Sequence, residues 1–144
     1  MKRKILFRGK RKDNGEWVEG YFVYAKSDFD DETLREADII PHDTDRVYKG
    51  EYNVVYPCIP ETIGQYTGVD DRNDKKIFEN DIVLVYARGY HTVCTVSWAE
   101  TVAHFQLWQV NTVPGTPTAL NLGNYDCEVI GNAIDNPELL EAKR

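Results

Sequence analysis

Apolar residues recur along this chain in short runs that alternate with polar ones. Gly, Pro, Asn and Asp interrupt them at about the 8–12-residue spacing of an all-β sandwich or barrel. Lys4-Ile5-Leu6-Phe7-Arg8 is the first run, ended by Gly9, and Asp13-Asn14-Gly15 is a tight-turn signal that predicts a hairpin. From Glu16 to Tyr24 the alternation puts Val18, Phe22 and Tyr24 on one side of a pleat and Trp17, Tyr21 and Val23 on the other. Both sides are apolar, so a central strand is expected. Ser27-Asp28-Phe29-Asp30-Asp31-Glu32 supplies N-cap and first-turn acids for a short helix over Thr33 to Ala37, within an acidic excursion over 27–50. Tyr52 to Tyr56 reads as a brief strand stopped by Pro57 and Pro60.

The second half repeats the pattern. Ile63 to Gly68 and Val69 to Phe78 contain two apolar pieces around a polar turn, a second hairpin. Asp81 to Ala87, His91 to Glu100 and Ala103 to Val110 read as strands, the second placing Cys94, Val96 and Trp98 on one face. Asn111 to Leu122 reads as a loop, Cys127 to Ile134 as a closing strand, and Asn136-Pro137-Glu138-Leu139-Leu140-Glu141 as the start of a helical turn. The expected fold is all-β with little helix: a small, partly open barrel whose five-stranded, SH3-like half spans Asp81 to Gly131, with the N-terminal hairpin packed on it. One domain over 1–144 is expected, divisible into subdomains 1–60 and 61–144.

Composition fits a folded protein. Of 144 residues, 42% are hydrophobic, 28% charged and 12% aromatic. No apolar run is long enough to span a bilayer, and the Ile5-Leu6-Phe7 stretch after the basic start is too short for a signal peptide or anchor. Three widely spaced cysteines, Cys58, Cys94 and Cys127, suggest reduced thiols in a cytoplasm rather than a disulfide framework.

The net charge of −7 is unevenly divided. The first twelve residues carry Lys2, Arg3, Lys4, Arg8, Lys10, Arg11 and Lys12 with no acid, a charge of +7. The rest sets ten basic residues against all 24 acidic ones, a net −14.

Phe7-Arg8-Gly9-Lys10, Gly15-Glu16-Trp17-Val18-Glu19-Gly20-Tyr21, Gly64-Gln65-Tyr66-Thr67-Gly68 and Lys76-Ile77-Phe78-Glu79-Asn80-Asp81-Ile82-Val83, with the closing Val129-Ile130-Gly131-Asn132 and Asn136-Pro137-Glu138-Leu139-Leu140, together resemble the YopX family. The resemblance runs end to end apart from variable middles. It implies a phage or prophage protein of a bacterial cytoplasm, and it brings no catalytic residues. The chain departs from the family pattern at Asn73-Asp74, commonly Asn-Gly, and at Glu79-Asn80-Asp81, commonly Glu-Gly-Asp. Asn and Asp tolerate left-handed backbone, so turns needing it survive at a cost.

Candidate chemistry is sparse. Gly64-Gln65-Tyr66-Thr67-Gly68 has the glycines of a phosphate cradle without the Lys-Ser/Thr ending of a P-loop, so Gly64 and Gly68 are expected to shape bends around a packed Tyr66. The acid clusters at Asp28–Glu32 and Asp70–Asp74 lack the EF-hand glycine and glutamate spacing and read as solvated turns. His91 falls on the opposite strand face from Cys94, and with His104 it makes no expected thiol–imidazole or zinc site. Glu79 and Asp81 have no partner that would make a catalytic constellation.

No enzyme, cofactor or metal is expected. The basic residues are the strongest functional hint. They either protect an edge strand, contact the acidic body of another copy, or track phosphates with Phe7 and Trp17 as stacking surfaces. The expected function is therefore that of a self-associating accessory protein that binds a phage or host macromolecule. A nucleic-acid-binding module comes second and an enzyme third.

Overall fold

The computed structural model describes residues 3–25, 36–41, 55–87, 89–110 and 119–141. It is almost entirely β: eleven strands, three single-turn 3-10 helices, and two antiparallel sheets, with no closed barrel among the described residues. The chain forms two compact units, Met1–Gln65 and Tyr66–Arg144.

In the first unit, β1 (Phe7–Lys10), β2 (Trp17–Ala25), β3 (Glu36–Pro41) and β4 (Tyr56–Cys58) lie in the order β4-β3-β2-β1, and the start of β5 (Gly64–Asp70) pairs with the other side of β1. The expected hairpin is present, with Gly15 at φ 71° closing the turn. β2 is central, as its two apolar faces predict. The inner face carries Ile39 and Cys58, both fully buried, and Phe7 packs on Phe22 with ring centres 5.4 Å apart.

Gly9 does not end the first strand. A Cβ built there would stand 2.5 Å from Ile63 Cδ1 and 3.0 Å from Cys58 Cβ, so glycine is what lets β1 continue against that neighbour.

Three further expectations are corrected. Glu36 and Ala37 belong to β3 rather than a helix, because pairing with β2 on one side and β4 on the other overrides local helix preference; the rest of the predicted helix lies outside the described residues. The strand placed at Tyr52–Tyr56 is Tyr56–Cys58 instead, with 51–54 outside the described residues. Pro57 is tolerated because β4 is an edge strand. Ala119–Asn121, read as loop, forms β10 against β9.

In the second unit, the rest of β5 pairs with β6 (Lys76–Phe78). β7 (Asp81–Ala87), β8 (Tyr90–Ala99), β9 (His104–Gln109), β10 (Ala119–Asn121) and β11 (Asp126–Asn132) form a five-stranded sheet in the order β10-β9-β8-β7-β11. Its core joins Val83, Val85, Cys94, Val96, Leu107 and Cys127 with Ile77, Phe105, Leu120 and Leu122. Trp98 is not part of that core. At the end of β8 it stays 45% exposed and stacks edge-on against Phe105 at 5.0 Å. The expected terminal turn is the 3-10 segment Pro137–Leu140.

Candidate functional site

Two of the basic residues, Arg8 and Lys10, belong to a sheet strand. Lys2 lies outside the described residues, and Arg3, Lys4 and Lys12 are exposed. Arg8 and Lys10 sit within β1, which is interior: β2 flanks one side, while β5 and the Pro60–Thr62 turn cover the other. Thr62 Oγ1 accepts the Lys10 N–H at 2.8 Å, and the Lys10 carbonyl accepts the Ile59 N–H at 2.8 Å. The strand that carries Arg8 and Lys10 is thus not a sheet edge.

Strand register decides which side chains share a surface. Arg8 pairs with Glu19, Lys10 with Trp17, Tyr21 with Ile40, Val23 with Asp38 and Ala25 with Glu36, so the cations Arg8 and Lys10, the rings of Trp17 and Tyr21, and the register positions of Glu19, Asp38 and Glu36 share the face opposite the buried one. Tyr21 is 49% and Val23 40% exposed. The Arg8 guanidinium stands 4.7 Å from the centre of the Trp17 ring, and the Lys10 ammonium 5.7 Å. Both distances are in cation–π range. Arg11 turns elsewhere, over Tyr56 at 4.1 Å and onto Asp13 through two hydrogen bonds. Its guanidinium holds the Asp13 carboxyl below its ordinary range. Aromatic rings with cations on the neighbouring strand make a face that can hold an anionic, flat or apolar partner.

The other candidate residues have structural roles. Gly68 adopts φ 85° where the β5–β6 register shifts. Gly64 and Gln65 pair with Arg8 and Phe7. Tyr66 is buried, packs on Phe78 at 5.7 Å and donates its hydroxyl to Asp70 at 2.5 Å. Burial and then Asp70 push its phenol up to about 12. Thr67 Oγ1 donates to the Ile77 carbonyl at 2.8 Å. Asp81 is buried, and its Oδ2 accepts the Phe78 N–H at 2.8 Å.

One group escaped the reading of the sequence. Asp71 is no solvated turn acid: it is 6% exposed, its Oδ1 accepts the N–H groups of Asn73 at 2.8 Å and Lys75 at 2.9 Å, and its Oδ2 accepts that of Val129 at 2.9 Å. Burial pushes this carboxyl up. The three N–H groups and the Lys75 charge outweigh burial, and the group sits below its ordinary value. Together with Arg72 N–H to the Cys127 carbonyl, 2.9 Å, it covers the open edge of β11. An Asp followed two residues later by Asn in a polar turn was the available signal, since Asp commonly accepts the N–H two residues on.

The described residues contain no group of three or more His, Cys, Asp or Glu side chains placed to hold a metal ion. Asp28–Glu32 lies outside them. His91 and Cys94 fall on opposite faces of β8, and His104 pairs with Ala99 at its far end, so the three are not brought together. No described helix is long and apolar enough to cross a membrane.

The YopX protein family model matches residues 6–141, nearly the whole chain. The chain belongs to the YopX family. A similar solved structure is that of protein EF1440 from Enterococcus faecalis, 23% identical, with a TM-score of 0.50 over 96% of this chain and 99% of that one. At that identity the likeness bears on the fold alone. No curated protein matches. In this YopX-family chain, Asp74 at φ 62° and Asn80 at φ 69° take left-handed backbone, where glycine would carry no steric penalty.

Proposed function

We propose that this YopX-family chain is a phage or prophage accessory protein that works by binding an anionic macromolecule, not by catalysis. The observation that carries the reading is the outer face of the N-terminal sheet, where Arg8 and Lys10 sit over Trp17 beside the exposed Tyr21. The groups elsewhere that resemble catalytic ones support it by being otherwise engaged. Asp71 and Asp81 accept backbone N–H groups, Tyr66 is bonded to Asp70, and the buried Cys94 and Cys127 thiols are pushed up to about 12 and about 11. A thiol held that high is a poor nucleophile at neutral pH.

Salt elution from immobilised heparin tests the reading. The Arg8→Gln/Lys10→Gln double variant, checked for native circular dichroism, is expected to elute at clearly lower salt than wild type. Equal elution overturns the proposal. The charge division between the first twelve residues and the remainder favours a second reading, in which this face meets the acidic part of another copy. Mass by light scattering that falls as salt rises supports it, and a monomer at every salt concentration rules it out.

A further inference from the structure

We infer that the anionic partner of the N-terminal sheet is a single-stranded nucleic acid; this rests on the binding reading above and adds the chemistry of the partner. Trp17 and Tyr21 lie on one strand four residues apart, so their side chains leave the same face about 13 Å from each other. Arg8 and Lys10 line the adjacent strand, about 4.8 Å away. A face with two rings along one line, Glu19 between them, and cations along the next offers stacking surfaces and phosphate contacts in parallel, the two terms by which unpaired strands are held.

A duplex has no use for the rings, because its bases are stacked on each other and are read only from the grooves. An acidic peptide uses the cations and leaves Tyr21 idle. The cation–π contacts already fix Arg8 and Lys10 on Trp17, so their side chains are ordered before a ligand arrives.

Acid positions on this face oppose a phosphate: Glu19 stands opposite Arg8 in the register, and on β3 Asp38 pairs with Val23 and Glu36 with Ala25.

The test is fluorescence anisotropy with a labelled single-stranded oligothymidylate over a range of salt concentrations, using wild type and Tyr21→Ala, Lys10→Gln and Glu19→Gln. Native circular dichroism is required of each variant. Polyglutamate and a DNA duplex serve as competitors.

Two phosphate contacts predict a slope of log affinity on log salt of about −1.4, which Lys10→Gln reduces by about 0.7. Tyr21→Ala weakens binding by roughly tenfold and leaves the slope unchanged, while Glu19→Gln tightens it. Polyglutamate or duplex competing as well as unlabelled oligothymidylate, with Tyr21→Ala without effect, overturns the single-strand assignment and leaves the anion-binding reading standing. Oligothymidylate binding that none of the three substitutions alters, or no binding of any probe, overturns both.

Discussion

Replacing Asp71 probes the link between the β5–β6 turn and the edge of the five-stranded sheet. Its carboxylate serves three backbone N–H groups, two in its own turn and one, Val129, on β11. Hydrogen bonds to an ionised acceptor contribute about 1.5–3 kcal/mol each. The Asn73 and Lys75 residues are exposed, so water takes over there in Asp71→Ala. The Val129 N–H, on a half-buried strand residue, has less access to water. A net loss of about 3 kcal/mol follows, which corresponds to a fall of roughly 1.5–2 M in the urea midpoint for a chain of this size.

Acid gives an independent check. The folded carboxyl lies below its ordinary 3.8, so its stabilisation is complete above that value and is lost as pH falls through the folded value. The stability difference between wild type and Asp71→Asn is thus expected to be constant from pH 7 to about 5 and to shrink below about pH 4. Urea titrations followed by tryptophan fluorescence at pH 7, 5 and 3 measure both effects. A midpoint shift under about 0.5 M for Asp71→Ala, or a wild-type to Asp71→Asn gap that is the same at pH 3 and pH 7, refutes the reasoning.

Three other perturbations test separate parts of the fold. Gly9→Ala forces a Cβ against Ile63 and Cys58 and is expected to destabilise by about 1–3 kcal/mol in urea melts, with Ile63→Val in the same chain recovering part of the loss. Ala103→Gly, at φ 53° in the β8–β9 turn, is expected to stabilise by about 0.5–1 kcal/mol, and Asp74→Gly and Asn80→Gly by less, read as a rise in thermal midpoint. Cys58, Cys94 and Cys127 are all buried, so a thiol-specific chromogenic reagent is expected to titrate none of them in the native protein and all three in denaturant.

What was legible in the sequence depended on how local its cause was. Alternation from Glu16 to Tyr24 located β2, its central place and the two sides of its pleat, and the β-branched and aromatic runs after Asp81 located the five-stranded sheet. The misread segments owe their conformation to distant partners. Glu36-Ala37 is a strand because β2 and β4 are there to pair with it. Ala119–Asn121 is a strand because β9 is. Pairings between distant segments leave little trace in a local window.

The face of the N-terminal sheet shows the same division. Its aromatic half, Trp17 and Tyr21, was visible as a period of two. Its cationic half was not, because Gly9 looks like the end of the first run until the Cys58 and Ile63 side chains beside it are placed. That glycine is what lets Arg8 and Lys10 stand on one continuous strand. Without room for β1 to run on past Phe7, Lys10 has no fixed place over Trp17. With it, Arg8 and Lys10 have a register and a ring to rest on.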